Sequence, residues 1–372
     1  MFRDARRRGW IIQAAILLTI LLVAALLVST TFGNLRTRGI PIGFDFLGTP
    51  SNIIISESIL VHEPGDSHYR AIAVGIANTL FVSALVIVLS SVLGLVVGLA
   101  RLSSNPLVAG TSRVWVELAR NFPPIVILIF LYSLWWKVFP AVESAWVLAP
   151  GVYLSMRGVN LPSLSLGLVP VGVAMMFAGV LLWVLRARAV RSIGLSAGAC
   201  TIAALGLIAA GAWIADPQFS VERPTFGGSN FSGGIELSPE LSTILIGLTL
   251  YTTGFVAEIV RGGVLAIGKG QWEAGRSLGL RRGKILRFII VPQALRVIVP
   301  PLNSQYINVV KNSTLAIAVG YPDFLSVMNT MISKSSHSIE GVLIIVTVYL
   351  CINLALSSVA NWYNRRIGLA ER

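Results

Sequence analysis

Apolar stretches long enough to cross a lipid bilayer recur along this chain of 372 residues. A helix needs about 20 apolar residues to cross the hydrocarbon core, and eight segments reach or approach that length. They are predicted at residues 11–32, 71–100, 122–139, 167–186, 192–215, 241–263, 295–320 and 339–363. Because only helices and closed barrels satisfy their backbone hydrogen bonds in lipid, we expect an all-α polytopic membrane protein with about eight transmembrane helices.

The composition supports a membrane protein and excludes a nucleic-acid-binding one. Charged residues make up only 12% of the chain and the mean hydropathy is +0.79, whereas an ordinary soluble domain contains about 25% charged residues. The net charge of +13 would suit a nucleic-acid partner. However, the basic residues flank apolar runs instead of forming one face of a soluble module, so we expect no nucleic-acid partner.

The positions of lysine and arginine predict the orientation of the chain in the membrane. Cytoplasmic loops are enriched in basic residues, and an N-terminus on that side places 21 of the 29 basic residues there. The predicted cytoplasmic segments are 1–10, 101–120, 186–191, 261–296 and 365–372. Most acidic residues then fall on the other side, and both termini are expected to be cytoplasmic.

A charged stretch between the sixth and seventh predicted helices contains a regular motif. The spacing E-A-x4-G-x9-I-x2-P is formed by Glu273, Ala274, Gly279, Ile289 and Pro292. Residues 271–278 are predicted to form a short helix, on which Trp272 and Leu278 offer apolar contact to a partner. Gly279 permits a turn with positive φ. The stretch therefore predicts a docking surface, and the alternative is an ordinary basic cytoplasmic loop.

The motif resembles the "EAA" loop in the membrane subunits of ATP-binding-cassette importers. The segments 77–105, 116–132, 248–279 and 289–324 look like permease subunits of polar amino-acid importers, the histidine and glutamine permease group. This resemblance covers a five-helix core. The first helix and an inserted pair of helices resemble the longer subunits of bacterial glutamate, glutamine, aspartate and general L-amino-acid systems.

The resemblance implies a division of the chain around that five-helix core. Residues 1–70 hold the N-terminal cytoplasmic segment, the first transmembrane helix and a periplasmic loop. Residues 71–136 form the first part of the core, and residues 137–240 form an inserted transmembrane hairpin with periplasmic loops. The second part of the core, 241–372, includes the EAA coupling loop at 271–292.

The resemblance also implies a function and a set of partners. The chain is expected to be the membrane-spanning permease subunit of an ATP-driven amino-acid importer in the bacterial inner membrane. Its partners would be an ATPase dimer, a second permease subunit and a periplasmic amino-acid-binding protein. ATP and magnesium would be used by the ATPase, and this chain would bind no cofactor. The implied coupling residues are Trp272, Glu273, Ala274, Gly275, Leu278, Gly279 and Pro292.

Polar side chains within the predicted helices are costly in lipid and are therefore functional candidates. Those proposed to line the substrate path are Asn78, Tyr251, Thr252, Lys311, Asn312, Ser313 and Thr314. The ammonium group of Lys311 would attract a substrate carboxylate. The alternative is that these groups bind one another, backbone carbonyls or the partner permease.

Two pairs of opposite charges stand three residues apart on predicted helices. Glu258 precedes Arg261 in the sixth helix, and Glu117 precedes Arg120 before the third. At this spacing the two side chains lie on the same face of a helix. We expect both to be structural or gating ion pairs.

Two other classes of membrane protein provide alternatives. A secondary amino-acid transporter usually has broken helices in both halves of an internal repeat, whereas one interrupted helix is visible here. An enzyme needs a cluster of acid, base or metal-binding groups, which the predicted helices lack. Residues 263–270 match a phosphate-binding loop except at Gly270, where a serine or threonine is required. We therefore expect no catalytic site and no metal site.

Overall fold

The computed structural model describes residues 5–39, 41–167, 175–180, 182–183, 197–215 and 218–367. It confirms an all-α polytopic architecture, since five of the described helices are long and apolar enough to cross a membrane. A sixth is added if a bent pair of helices counts as one span. The chain divides into two compact units, one formed by Met1–Leu131 with Thr243–Arg372 and the other by Tyr132–Ser242.

Four helices come first along the chain. They are α1 (Ala5–Thr37), α2 (His68–Ala100), α3 (Pro106–Asn121) and α4 (Pro124–Val138). The side chain of Asn105 caps α3 by accepting a hydrogen bond of 2.9 Å from the Leu107 N–H, and Pro106 suits the first turn because it has no N–H to satisfy.

The helices α3 and α4 meet at a bend of 103°. Pro123 lies between them and disfavours helical backbone in the residue before it. The prediction of a complete span at 122–139 is wrong, because the helix found there is too short to cross the membrane alone. The helix α4 has 15 residues and is about 22 Å long, and with α3 it forms a broken span or a re-entrant loop.

The second unit contains short antiparallel strands that the sequence analysis did not predict. They are β1 (Trp146–Ala149), β2 (Val152–Ser155), β3 (Gly158–Leu161), β4 (Ser163–Gly167), β5 (Gln218–Glu222), β6 (Thr225–Phe226), β7 (Phe231–Ser232) and β8 (Ile235–Leu237). Four form a sheet in the order β1-β2-β3-β8, with Tyr153 opposite Asn160 and Val159 opposite Leu237. The remaining strands form two separate pairs, β4 with β5 and β6 with β7.

The inserted hairpin is described only in part. Most of the predicted helix at 167–186 lies outside the described residues. The helix predicted at 192–215 is present as α5 (Ala197–Ala215). Its apolar section, Gly198–Ile214, is shorter than a spanning helix, so the prediction of a full span there is not met within the described residues.

The C-terminal half consists of helices joined by tight connections. They are α6 (Pro239–Leu265), α7 (Lys269–Ser277), α8 (Arg282–Ile285), α9 (Val291–Asn312), α10 (Phe324–Ser335) and α11 (Ser338–Ile367). A π-helical turn, Leu286–Ile290, joins α8 to α9, and a 3₁₀ helix, Ser313–Val319, follows α9. The predicted span at 295–320 thus begins earlier, since one helical run extends from Arg282 to Val319.

The helix α6 is the most buried of the candidate spans. Within its apolar stretch 61% of residues are buried, compared with none in α1 and α11. Glycines allow its neighbours to approach closely: a Cβ added to Gly254 would lie 2.9 Å from Cβ of Ala119 in α3. A Cβ added to Gly263 would lie 2.2 Å from a side-chain carbon of Ile298 in α9. Small residues at such crossings are typical of helix packing in membranes.

Candidate functional site

The helices α7 and α8 form a hairpin that contains the EAA motif. The turn after α7 is closed by two backbone hydrogen bonds, from Leu280 N–H to Gly275 C=O at 3.1 Å and from Gly279 N–H to Arg276 C=O at 2.8 Å. This is the bonding pattern of a Schellman C-cap, which places the residue after the cap in the left-handed region. Gly279 occupies that position with φ of +70°. The positive φ therefore explains why a glycine stands at position 279 of the motif.

The two helices of the hairpin pack directly against each other. Gly275 is buried, and a Cβ added there would lie 2.8 Å from Cγ1 of Ile285 in α8. The other implied coupling residues lie at the surface. Glu273, Ala274, Leu278 and Pro292 are exposed, and Trp272 is half-buried. Leu278 keeps 76% of its surface exposed, so the tip of the hairpin presents an unpartnered apolar side chain.

A groove with a volume of about 720 Å³ lies along this hairpin. It is lined by Lys269, Trp272, Glu273, Arg276, Arg282 and Ile285. Three of these side chains are cationic and one is anionic, with an indole and an aliphatic side chain between them. Such a groove suits a protein surface that combines acidic and apolar side chains.

The base of the hairpin is a hydrophobic cluster that brings its two ends together. Val256 and Val260 of α6 pack there against Ala294 and Ile298 of α9. The side-chain amide of Gln293 in α9 donates a hydrogen bond of 3.2 Å to the side-chain oxygen of Gln271 in α7. The two helices that flank the hairpin, α6 and α9, therefore meet at this base.

The ion pair predicted between Glu258 and Arg261 is present and has a third member. Nη2 of Arg261 donates to Oε1 of Glu258 at 2.6 Å, and its Nε donates to Oε2 at 3.3 Å. Arg101, which caps the end of α2, also donates to Oε2 of Glu258. Sequence reasoning missed Arg101, because it lies 157 residues away from Glu258 and no local spacing relates the two.

The pairing predicted for Glu117 and Arg120 is corrected by the structure. Oε1 of Glu117 lies 3.4 Å from Nε of Arg113, one turn before it, and both side chains are largely exposed. The guanidinium of Arg120 lies instead over the ring of Phe255 in α6, 5.4 Å from its centroid. The prediction failed because the contact between α3 and α6 offers Arg120 an aromatic face.

The polar group at 311–314 marks a change of helix type. The helix α9 ends at Asn312 and the 3₁₀ helix begins at Ser313. The hydroxyl of Ser313 donates to Val310 C=O at 2.8 Å, and that of Thr314 donates to Lys311 C=O at 2.7 Å. Lys311 itself is exposed. These two hydroxyls are therefore engaged by the backbone, whereas the ammonium group of Lys311 is accessible.

The remaining candidates for the substrate path are separate from that group. Tyr251 is half-buried and packs against Phe255 with ring centroids 5.0 Å apart, and Thr252 is buried. Within the described chain no hydrogen bond joins either residue to Lys311. The structure thus places these candidates on different helices, with no hydrogen bond between them in the described part of the chain.

The side chain of Asn78 is engaged by the backbone instead of facing a path. Its Nδ2 donates to the carbonyl oxygens of Glu57 and Pro322, each at 2.9 Å, and its Oδ1 accepts a bond of 3.2 Å from Ile59 N–H. The residue has no exposed surface. This geometry corrects the prediction of a path-lining Asn78 in favour of the structural alternative, in which it ties α2 to the backbone of the preceding loop and to that of Pro322.

A buried carboxyl at the start of α10 was not recognised from the sequence. Oδ1 of Asp323 accepts a hydrogen bond of 2.9 Å from Ser326 N–H, whereas its Oδ2 is buried without a partner. Burial raises the pKa of the Asp323 carboxyl to about 7. The local signal, an aspartate preceding an apolar run, predicts a helix cap but does not reveal the burial.

Comparisons with known proteins place the chain in a family. Residues 90–369 match the family described as binding-protein-dependent transport system inner membrane component. The putative amino-acid ABC transporter permease protein YhdX of Escherichia coli (strain K12) is 39% identical, over 100% of this chain and 97% of the relative. The general L-amino acid transport system permease protein AapQ of Rhizobium johnstonii is 35% identical, over 91% of this chain and 87% of the relative.

A similar fold occurs in the crystal structure of an amino acid ABC transporter with histidines. The TM-score is 0.50 at 18% identity, covering 80% of this chain and 95% of that one. These findings confirm the resemblance to ABC-type amino-acid permeases and do not favour a secondary transporter. With a family match over most of its length and relatives aligned nearly end to end, this multi-pass chain belongs to the family of binding-protein-dependent transport system inner membrane components.

Proposed function

We propose that this chain forms part of the translocation path of an ATP-driven amino-acid importer and couples to a separate ATPase through the α7–α8 hairpin. The observation that carries the proposal is the hairpin itself. Its outer surface is exposed, its turn is fixed by the Schellman cap at Gly279, and its base joins α6 to α9. A partner that moves this hairpin would displace two membrane helices, as alternating access requires.

We assign ATP and magnesium to the partner ATPase dimer and not to this chain. Gly270 leaves the stretch 263–270 without the hydroxyl that a phosphate-binding loop supplies to magnesium. That stretch also runs from the end of α6 into the start of α7, and a phosphate-binding loop follows a strand. The further partners we propose are a second permease subunit and a periplasmic amino-acid-binding protein, which the family description supports.

The substrate class we propose is polar L-amino acids. The names of the relatives YhdX and AapQ support an amino-acid substrate. Within this chain, the exposed ammonium group of Lys311 offers a contact for the carboxylate that all amino acids share, and the half-buried Tyr251 offers a hydroxyl on α6.

We further propose that the hairpin and both termini lie on the cytoplasmic side, because 21 of the 29 basic residues then do so. Reporter fusions at Arg372 and within residues 216–240 test this orientation. Cytoplasmic activity at the first site and periplasmic activity at the second are expected. The reverse pattern would contradict the proposed side of the hairpin.

Co-purification tests the proposed ATPase contact. The chain, produced with its candidate ATPase in mild detergent, should retain that subunit, whereas Leu278→Asp should release it by placing a charge at the apolar tip of the hairpin. Ile54→Asp is a matched control, since Ile54 is an exposed aliphatic residue, with 82% of its surface accessible, outside the hairpin. Equal retention of the ATPase by both variants would argue against docking at the hairpin.

A further inference from the structure

One carboxylate links two helices of the first unit through two guanidinium groups. Glu258 of α6 accepts bonds from Arg261 of the same helix and from Arg101 at the end of α2. The Arg101 side chain is only 12% exposed, whereas those of Glu258 and Arg261 are 28% and 31% exposed. The bond to Arg101 is therefore the most sheltered part of the cluster, and it is the part that connects the two helices.

The same two helices also touch through their backbones. A Cβ added to Gly94 would lie 2.4 Å from Cγ1 of Val256, and one added to Gly98 would lie 2.7 Å from the carbonyl oxygen of Ala257. The ion cluster lies within one turn of this crossing on both helices. Close packing limits sliding between helices, and the bond from Arg101 to Glu258 joins them where the glycine crossing ends.

The position of this cluster relates it to the hairpin. Arg261 lies four residues before the end of α6 at Leu265, and α7 begins at Lys269. Between them, Gly263 contacts Ile298 of α9. The cluster thus lies between the base of the hairpin and α2, which is not part of the hairpin.

We propose that Arg101 is a positioning residue, which ties α2 to α6 through Glu258 so that a displacement of the hairpin is passed on to α2. The inference rests on the proposed coupling to an ATPase. If Arg101 is neutralised, Glu258 keeps its pairing with Arg261 within α6, so no buried charge is stranded. The variant should therefore assemble normally and lose the polar link between the helices, while the glycine crossing remains.

The test measures substrate uptake and ATP hydrolysis by the same reconstituted complex. Coupling energies of single contacts in such networks correspond to about a two- to thirtyfold effect, so Arg101→Gln should lower the uptake per ATP hydrolysed by that factor at unchanged complex yield. Arg113→Gln is the matched control, because it removes an arginine from an ion pair whose side chains are 70% and 60% exposed. We expect no change in that variant.

A charge exchange separates positioning from simple structural support. The double variant Arg101→Glu with Glu258→Arg again places opposite charges across the same helix pair, and it should recover part of the lost coupling, since Arg261 then lies beside a like charge in α6. A normal ratio of uptake to hydrolysis in Arg101→Gln would overturn the inference. So would a parallel loss of yield, uptake and hydrolysis that the double variant does not restore.

The outcome for the unaltered chain distinguishes this inference from the proposed function. A wild-type complex that retains no ATPase would contradict the proposed function and with it the role of Arg101. A wild-type complex that couples normally, together with an unaffected Arg101→Gln, would contradict only the role of Arg101.

Discussion

Gly98 of α2 lies so close to Ala257 of α6 that a Cβ on the glycine would come within 2.7 Å of the Ala257 carbonyl oxygen. No rotamer change can relieve that contact, because the obstacle is backbone. The crossing of α2 and α6 therefore depends on the absence of a side chain at this position.

Gly98→Ala should destabilise the protein by about 1–3 kcal/mol, the usual cost of inserting a carbon into a filled interior. Thermal unfolding of the purified protein in detergent measures this change. Gly110→Ala is the matched control, since Gly110 lies in α3 with no atom within 4 Å of an added Cβ. It should be neutral or slightly stabilising. An equal unfolding temperature for both variants would refute the close crossing.

Gly279→Val should uncouple ATP hydrolysis from uptake. A left-handed backbone costs a residue with a Cβ about 1–2 kcal/mol. The β-branched side chain of valine raises that cost further. No atom lies within 4 Å of an added Cβ at Gly279, so the effect acts through the φ of +70° and not through a clash.

Substitutions that differ in their tolerance of positive φ check this explanation. Gly279→Asn should retain more coupling than Gly279→Val, because asparagine visits the left-handed region more readily. Gly262→Val, at an exposed helical glycine with open space around it, should retain coupling. If the asparagine and valine variants behave alike, backbone strain is not the cause.

Lys311→Met should lower uptake of every transported amino acid while complex recovery stays normal, because the exposed ammonium group is proposed to attract the shared carboxylate. Uptake and recovery are measured on the same preparations. Lys137→Met serves as the control, since Lys137 is an exposed lysine at the end of α4. Reduced recovery in Lys311→Met would instead assign Lys311 to helix assembly, and normal values for both would remove it from the functional residues.

The stability of the protein should fall as the pH rises from about 4 to about 7. A free aspartate titrates near pH 4, whereas burial raises the pKa of Asp323 in the folded state to about 7. Between these values the folded state holds a proton that the unfolded state has lost, so raising the pH favours unfolding. Unfolding temperatures recorded across this range should decrease for the wild type.

Asp323→Asn should remove this pH dependence, because the amide caps α10 without titrating. Asp45→Asn, which alters an exposed carboxyl, should leave the dependence in place. A wild-type unfolding temperature that rises through this range, or an equal slope in Asp323→Asn, would show that Asp323 is not the responsible group.

The features that follow from the sequence alone are those with a local cause. Continuous apolar runs predict membrane helices, because lipid forces the backbone to satisfy its own hydrogen bonds. The motif spacing predicts a helix ending at a glycine turn, which the Schellman cap at Gly279 confirms. Short strands such as β3 and β8 escaped prediction because they occupy only a few residues and their pairing joins distant segments.

The partners of the polar groups are decided only by the tertiary structure. Arg101 reaches Glu258, Arg120 lies over Phe255, and Asn78 binds the backbone of a preceding loop. In helices that are apolar on most faces, hydropathy does not specify which helices become neighbours. The packing of small residues such as Gly98 selects those neighbours, and each buried polar group then binds whatever partner that packing brings within reach.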